Sequence, residues 1–181
     1  MSSTETLTIA PAGTWELDAV HSAVGFEVKY LGGTFKGSFR EIAATLVVAD
    51  EAVSLEGSAK VASVDVKDEN LVGHLQSPDF FDAERYPEIS FTARDISLEG
   101  EAVKVEGDLT IKGVTHPAEV TGTVTAPLTD PYGRERIGLK LETRVDRTKF
   151  GVSWNNPLPN GEAALANDVT VVAELFFVKS A

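Results

Sequence analysis

Apolar and polar residues alternate along most of this chain from Thr14 onward. A period of two is typical of a β-strand with one buried face, whereas the longer period of a helix is nearly absent. The pattern therefore predicts an all-β protein. The alternating sets are, in chain order, Val24-Phe26-Val28-Tyr30, a second strand over residues 35–48, Val53-Leu55-Gly57-Ala59-Val61, Ile89-Phe91-Ala93, Val103-Val105-Gly107-Leu109, Val120-Gly122-Val124, Leu139-Leu141-Thr143-Val145 and Val169-Val171-Ala173-Leu175-Phe177.

Short turn sequences separate these sets, and their residues accept positive φ or preset a turn. They are Leu31-Gly32-Gly33, Asp50-Glu51, Leu98-Glu99-Gly100, Lys112-Gly113, Asp130-Pro131-Tyr132-Gly133 and Asn160-Gly161. Strands joined by short turns are antiparallel. About eight strands with one apolar face each predict a closed or nearly closed antiparallel barrel, and a two-sheet sandwich would produce the same pattern.

One segment, from Asp68 to Tyr86, breaks the alternation. Leu71, Val72 and Leu75 stand at helical spacing, so we predict one or two short helices between residues 68 and 86. Ser77-Pro78 is predicted as a cap and first helical position. The aromatic pair Phe80-Phe81 that follows has two interpretations, a plug that packs one barrel end or a contact with a bound chain.

Several strand faces combine large apolar residues with very small ones. If these faces line a barrel, the small residues leave room in its interior for a ligand. The alternative is that they ease strand bends or sit beneath bulky partners. The positions are Gly57, Ala59, Ala93, Gly107, Gly122 and Ala173.

Length and composition narrow the possibilities further. The 181 residues suit one domain, which we place at residues 13–181 after a flexible N-terminal segment, residues 1–12. A formal net charge of −12 repels phosphate backbones, so nucleic acid is not an expected partner. No apolar run approaches the ~20 residues of a membrane span, and Met1 to Ala12 lacks the features of a secretory signal. We therefore expect a cytoplasmic protein without membrane insertion.

Reactive constellations are weak in this sequence. Asp18, His21 and Ser22 are the residue types of a hydrolytic triad, but adjacent strand positions point to opposite faces, so His21 and Ser22 cannot pair locally. His21, His74 and His116 lie far apart without metal-ligand spacing, and no cysteine is present. We predict neither catalytic residues nor a metal site, and no cofactor.

An ordered set of motifs resembles the YceI-like family of polyisoprenoid-binding, lipocalin-like proteins. No single motif is decisive, but their order extends from Gly13 to Lys179. The motifs are Trp15-x-x-Asp18-x-x-His21-Ser22-x-Val24-x-Phe26-x-Val28, Gly37-x-Phe39, His74-Leu75-x-Ser77-x-Asp79-Phe80-Phe81-Asp82, Tyr86-Pro87-x-Ile89-x-Phe91, Gly107-Asp108-Leu109-Thr110-Ile111-x-Gly113-Val114-Thr115 with Pro117, Asp130-Pro131-x-Gly133, Arg147-x-x-Phe150-Gly151 and Trp154-Asn155.

The resemblance implies an antiparallel lipocalin-like barrel around an apolar tunnel, commonly in a homodimer, with no catalytic residues. Its ligand would be a long-chain apolar small molecule such as an isoprenoid, an isoprenoid quinone or a similar amphiphilic lipid, held for carriage, storage or stress-related sequestration. The ligand-binding residues that it suggests, together with polar groups at the mouth, are Val24, Phe26, Val28, Tyr30, Phe35, Phe39, His74, Leu75, Phe80, Phe81, Phe91, Phe150 and Trp154. Asn70 and Asn155 are further mouth candidates.

Two positions depart from the family pattern. Tyr30 stands where many relatives carry histidine, and Leu71-Val72 stands where they often carry Arg-Asp. The resemblance therefore predicts the apolar tail of the ligand but not its polar head group. Two other functions also stay open: a barrel-chamber enzyme of the isomerase or cyclase type, and a structural or stress protein with a filled interior.

Overall fold

The computed structural model describes residues 10–49 and 52–180, and strands dominate that part of the chain. Its one α-helix is α1 (Glu69–Gln76), and two 3-10 turns cover Val61–Ser63 and Arg147–Phe150. The strands are β1 (Gly13–Leu17), β2 (Ala23–Tyr30), β3 (Gly33–Phe39), β4 (Ile42–Val48), β5 (Val53–Lys60), β6 (Val64–Asp65), β7 (Glu88–Glu99), β8 (Ala102–Ile111), β9 (Val114–Val124), β10 (Leu128–Thr129), β11 (Glu135–Asp146) and β12 (Leu165–Lys179).

Eight of these strands close into an antiparallel barrel. The order around the ring is β1-β4-β5-β7-β8-β9-β11-β12, and it closes because β12 pairs with both β11 and β1. Closure confirms the predicted barrel and excludes the sandwich alternative. The short strand β10 pairs with β11 outside the ring.

The longest strand, β12, divides the barrel into two halves. One edge of β12 pairs with β11 along nearly its whole length. The other edge pairs first with β1, through Phe177 and its neighbours, and then with β2, where Val169 lies opposite Val28. The β2-β3 hairpin thus continues the wall beyond β1 and builds the second half of the barrel.

Two apolar clusters occupy these halves. The first, here called the filled half, is centred on Trp15, Leu46 and Phe177, whose side chains are fully buried. The second cluster collects the inward residues of β2 and β3, such as Phe26 and Phe39, beneath α1. Because alternate residues of one strand face inward, long strands such as β8 contribute to both clusters.

The turns agree with the positive-φ positions predicted from the sequence. Lys112 and Gly113 have φ values of 51° and 75°, as a two-residue primed hairpin turn requires, and Leu31 and Gly32 have 49° and 80°. The predicted single strand over residues 35–48 was wrong: the chain bends between β3 and β4, so it forms two strands. The predicted turn at Asp50-Glu51 lies outside the described residues.

The irregular segment, residues 68–86, is here called the cap. Asp68 begins α1 by accepting hydrogen bonds from the backbone N–H groups of Asn70 and Leu71, at 2.8 and 3.3 Å. Ser77 ends this helix and does not start a second one, so that part of the prediction was wrong. The Ser77 carbonyl instead accepts backbone hydrogen bonds from Phe80 and Asp82, which fold the following residues into turns.

Residues 10–12 of the predicted flexible N-terminal segment fall within the described part of the chain. Residues 1–9 of that segment lie outside the described residues. Ala10 is buried in the filled half, and the indole Nε1 of Trp15 donates a 3.0 Å hydrogen bond to the carbonyl of Pro11.

Across residues 10–49 and 52–180, the structure contains no helix long and apolar enough to span a membrane.

Candidate functional site

A cavity of about 540 Å³ lies between the second cluster and the cap. Of the twelve buried residues of that cluster, eleven line the cavity, and none of the buried residues assigned to the filled half does. The wall is therefore largely apolar. A volume of this size is typical of a small-molecule site.

The structure brings together most of the residues that the sequence suggested for ligand binding. Phe91 is the exception, because its ring lies against the backbone of Gly107, where an added Cβ would come within 2.6 Å of it. The suggested residues that line the cavity are Val24, Phe26, Val28, Tyr30, Phe35, Phe39, His74, Leu75, Phe80, Phe81, Phe150 and Trp154. Asn70 also lines it, whereas Asn155 is occupied with the backbone N–H and carbonyl of Leu165.

Other wall residues were not among the ligand-binding candidates named from the sequence. Some, such as Ala59 and Val171, belong to the alternating sets, so their inward direction could be read from the period of two. Others, such as Val152 and Leu165, flank an irregular segment in which no period identifies an inward face. The further wall residues are Gly25, Asp68, Leu71, Ile89, Leu109, Ile111, Val145, Arg147 and Val169.

Four phenylalanines connect the β2-β3 wall to the cap. The ring of Phe26 lies 5.8 Å from Phe39 and 6.1 Å from Phe35, measured between centroids. Phe81 meets Phe39 edge to face at 5.9 Å. Such tilted and edge-to-face contacts stabilise aromatic pairs beyond simple burial, so Phe81 holds the cap on the barrel and also forms part of the cavity wall.

A second aromatic group surrounds His74, near the C-terminal end of α1. Its imidazole packs edge to face on Phe80 at 4.8 Å and on Trp154 at 4.9 Å. The Nε2 atom lies 3.2 Å from a carboxylate oxygen of Asp79. His74 is therefore both a wall residue and a link between α1 and the turns that follow it.

A lysine fastens the cap to the barrel from outside. The ammonium of Lys112, at the β8-β9 turn, donates hydrogen bonds to the carbonyls of Pro78 at 2.5 Å and Gly151 at 3.2 Å. One side chain thus connects the cap, a hairpin and the segment after β11.

Arg147 is a charged residue in the cavity wall and is only 5% exposed. Its guanidinium donates through Nε to the carbonyl of Ala166 at 2.9 Å and through Nη1 to the carbonyls of Val152 and Trp154, each at 2.8 Å. Nη2 makes a longer contact of 3.4 Å with the carbonyl of Leu165. Burial lowers the pKa of Arg147, yet a guanidinium stays protonated at neutral pH.

The small residues open less space than expected. Of the six predicted, Ala59 alone lies on the wall of this cavity. Gly107 and Gly122 are small because neighbours approach them closely: a Cβ at Gly107 would collide with Phe91, and one at Gly122 with the backbone of Lys140. At these two positions the missing side chain therefore accommodates a close neighbour and does not open the cavity.

The other polar candidates lie outside the cavity. His21 Nδ1 lies 2.7 Å from the Asp18 carboxylate, whereas Ser22 Oγ donates to the Asp18 backbone carbonyl, so the three do not form a triad. His116 contacts the carbonyl of Lys149. No cluster of three or more metal-ligating side chains occurs in the described ranges.

Titratable side chains also line the cavity. Tyr30, Asp68, His74 and Arg147 all belong to the wall. Tyr30 and His74 were among the candidates named from the sequence. Asp68 and Arg147 were not, because they lie at the start of the cap and after the end of β11, where alternation no longer indicates direction.

Comparison with known proteins identifies relatives of both sequence and fold. Residues 15–177 match the family model of the YceI-like domain. The UPF0312 protein of Photorhabdus laumondii is 31% identical over 179 residues, which cover 91% of this chain and 89% of the relative. Protein YceI of Escherichia coli O157:H7 is 27% identical over 149 residues, 79% of this chain and 78% of the relative.

Two solved structures share the barrel. Burkholderia cenocepacia BcnA superposes with a TM-score of 0.76 at 23% identity, covering 88% of this chain and 98% of BcnA. A polyisoprenoid binding domain from Saccharophagus degradans, implicated in plant cell wall breakdown, superposes with a TM-score of 0.68 at 14% identity, covering 92% of this chain and 98% of that domain. These likenesses confirm the fold.

Proposed function

This chain belongs to the YceI-like family, and on that basis we propose that it is a binding protein that holds one long apolar chain in its barrel. The observation that carries the proposal is the cavity of about 540 Å³ with its largely apolar wall. An isoprenoid, an isoprenoid quinone or a similar amphiphile suits such a wall. The polyisoprenoid binding domain of Saccharophagus degradans, which shares the fold, supports this choice.

The cavity also indicates how affinity should depend on chain length. Taking the ~30 Å³ of one water molecule in the liquid as the share of one methylene, about 18 carbon atoms fill the cavity. Each methylene removed from water contributes ~0.8 kcal/mol, which corresponds to about fourfold in affinity. Affinity should therefore rise with chain length and level off near 18 carbons.

A binding role also agrees with the polar groups of the wall. Asp68 caps α1, His74 pairs with Asp79, and Arg147 holds four backbone carbonyls, so each already has a structural partner. The matched family and the binding-domain neighbour likewise indicate a binding protein rather than a catalyst. Carriage, storage or stress-related sequestration of the ligand, a cytoplasmic location and a homodimer remain parts of the proposal.

Native mass spectrometry tests the proposal directly. We expect purified protein to carry, or after removal of lipid to take up, one long-chain molecule per barrel, with geranylgeraniol as the probe. Organic extracts of the purified protein would identify a native ligand. If the protein neither carries lipid nor takes up geranylgeraniol or any alkyl chain of similar length, the barrel does not serve as a lipid site and the proposal is wrong.

A further inference from the structure

Tyr30 and Arg147 define a polar end of the cavity. Along β2 its wall residues run Val24, Phe26, Val28 and then Tyr30, so the hydroxyl-bearing residue comes last. Val28 lies opposite Val169, and Val169 lies opposite Val145. Tyr30 lies opposite Leu165, whose carbonyl accepts from Arg147. Arg147, two residues beyond Val145, therefore stands at the polar end with Tyr30.

Arg147 has a charge that no side chain compensates at contact distance in the part of the chain described. All four of its acceptors are neutral backbone carbonyls. The carboxylate of the adjacent Asp146 is occupied by Thr148, through the backbone N–H at 2.9 Å and the hydroxyl at 2.5 Å. Asp68, also in the wall, uses its carboxylate to cap α1. Asp146 therefore acts on Arg147 through space without touching it, and the guanidinium lacks an anion at contact distance, so this site favours an acidic group on a ligand.

The guanidinium also has donor capacity left. It has five N–H bonds, and the structure shows four acceptors for them, with the weakest contact on Nη2. One N–H of Nη2 is thus left without an acceptor among residues 10–49 and 52–180. Arg147 forms part of the cavity wall, so this residue lies beside the space that a ligand would occupy.

We propose that Arg147 forms a head-group site that selects long chains ending in an acidic oxygen group, a carboxylate or a phosphate, over neutral chains of the same length. The inference rests on the proposed function, since it places the tail in the apolar part of the same cavity. The head group accepts a hydrogen bond from Nη2 and places a negative charge in contact with the guanidinium.

The charge of the whole protein makes this selectivity informative. With a net charge of −12, the average field of the protein repels anions, so a preference for an anionic chain cannot arise from the surface as a whole. It requires a local cation, and Arg147 is the cationic residue of this cavity wall.

Four C16 probes test the proposal on the unmodified protein: hexadecanoic acid, hexadecyl phosphate, hexadecan-1-ol and methyl hexadecanoate. Each displaces a neutral fluorescent lipid at pH 8, below the concentration at which it aggregates. Charge-assisted hydrogen bonds are stronger than neutral ones, so we expect the acid, the phosphate or both to bind at least tenfold more tightly than the alcohol and the ester. The two acidic probes show which head group fits.

The possible outcomes separate the two proposals. If alcohol and ester bind as tightly as both acidic probes, the head-group site is wrong while the lipid-binding function stands. If no probe binds, the proposed function fails. An Arg147→Met variant that stays folded should lose the preference for the acidic probes, and a retained preference would overturn the assignment. Should that variant unfold, the comparison of the four probes on the unmodified protein decides alone.

Discussion

Filling the cavity from one position should shorten the chain that the barrel accepts. Ala59 lies on the cavity wall and is buried, with Ile42 and Ile89 as its neighbours across the sheet. Ala59→Phe adds about six carbon atoms inside a space for about 18. At ~0.8 kcal/mol per methylene displaced, long chains should lose up to about 5 kcal/mol, whereas chains of about 12 carbons or fewer should lose much less.

A homologous series of alkyl alcohols in the displacement assay checks this expectation. The chain length at which affinity levels off should fall by about six carbons in Ala59→Phe. Ala43→Phe is the matched control, because Ala43 lies on the neighbouring strand β4 and is exposed. An unchanged levelling-off point in a folded Ala59→Phe protein would refute the placement of the ligand against this wall.

Two further changes test the surroundings of the barrel. The Arg136 guanidinium binds Asp130 at 2.6 Å and Asp18 at 2.9 Å, and this contact lowers the pKa of Asp130 to about 2. A lowered carboxyl pKa stabilises the fold above about pH 4, and that contribution is lost towards pH 2. Arg136→Met should therefore lower the urea midpoint more at pH 7 than at pH 2. Equal losses of the midpoint at both pH values would contradict this expectation. Asp68→Ala removes the carboxylate that accepts the hydrogen bond from the Asn70 backbone N–H at the start of α1. This change should cost about 1 kcal/mol of unfolding free energy in urea titration. A cost no larger than that of Glu69→Ala would show that the Asp68 carboxylate does not stabilise α1.

Local features of the barrel could be predicted from the sequence, because each is set by a few neighbouring residues. Alternation identified the strands, and the positive φ at Lys112-Gly113 and Gly133 is a demand of the turns themselves. Closure depends on pairs far apart in the chain, such as Leu139 with Leu175, so alternation could not separate barrel from sandwich.

The head-group residue was the least predictable part of the site. Arg147 stood in a family motif, but nothing in its neighbours marked it as buried. Its burial depends on carbonyls from Val152 and Trp154, in a segment without secondary structure, and from Ala166 near the start of β12. An irregular segment has no period from which contacts could be inferred, so the surroundings of Arg147 appear only in three dimensions.

The division between filled and hollow halves was equally hidden, and it has a functional consequence. Leu175 and Val169 are apolar residues of the same parity on β12, yet Leu175 packs in the filled half and Val169 lines the cavity. Since Trp15 and Phe177 are fully buried beyond the apolar end, a bound chain cannot extend in that direction. A chain much longer than the cavity must therefore extend away from the filled half, so the open length of the barrel is set by where the two halves meet.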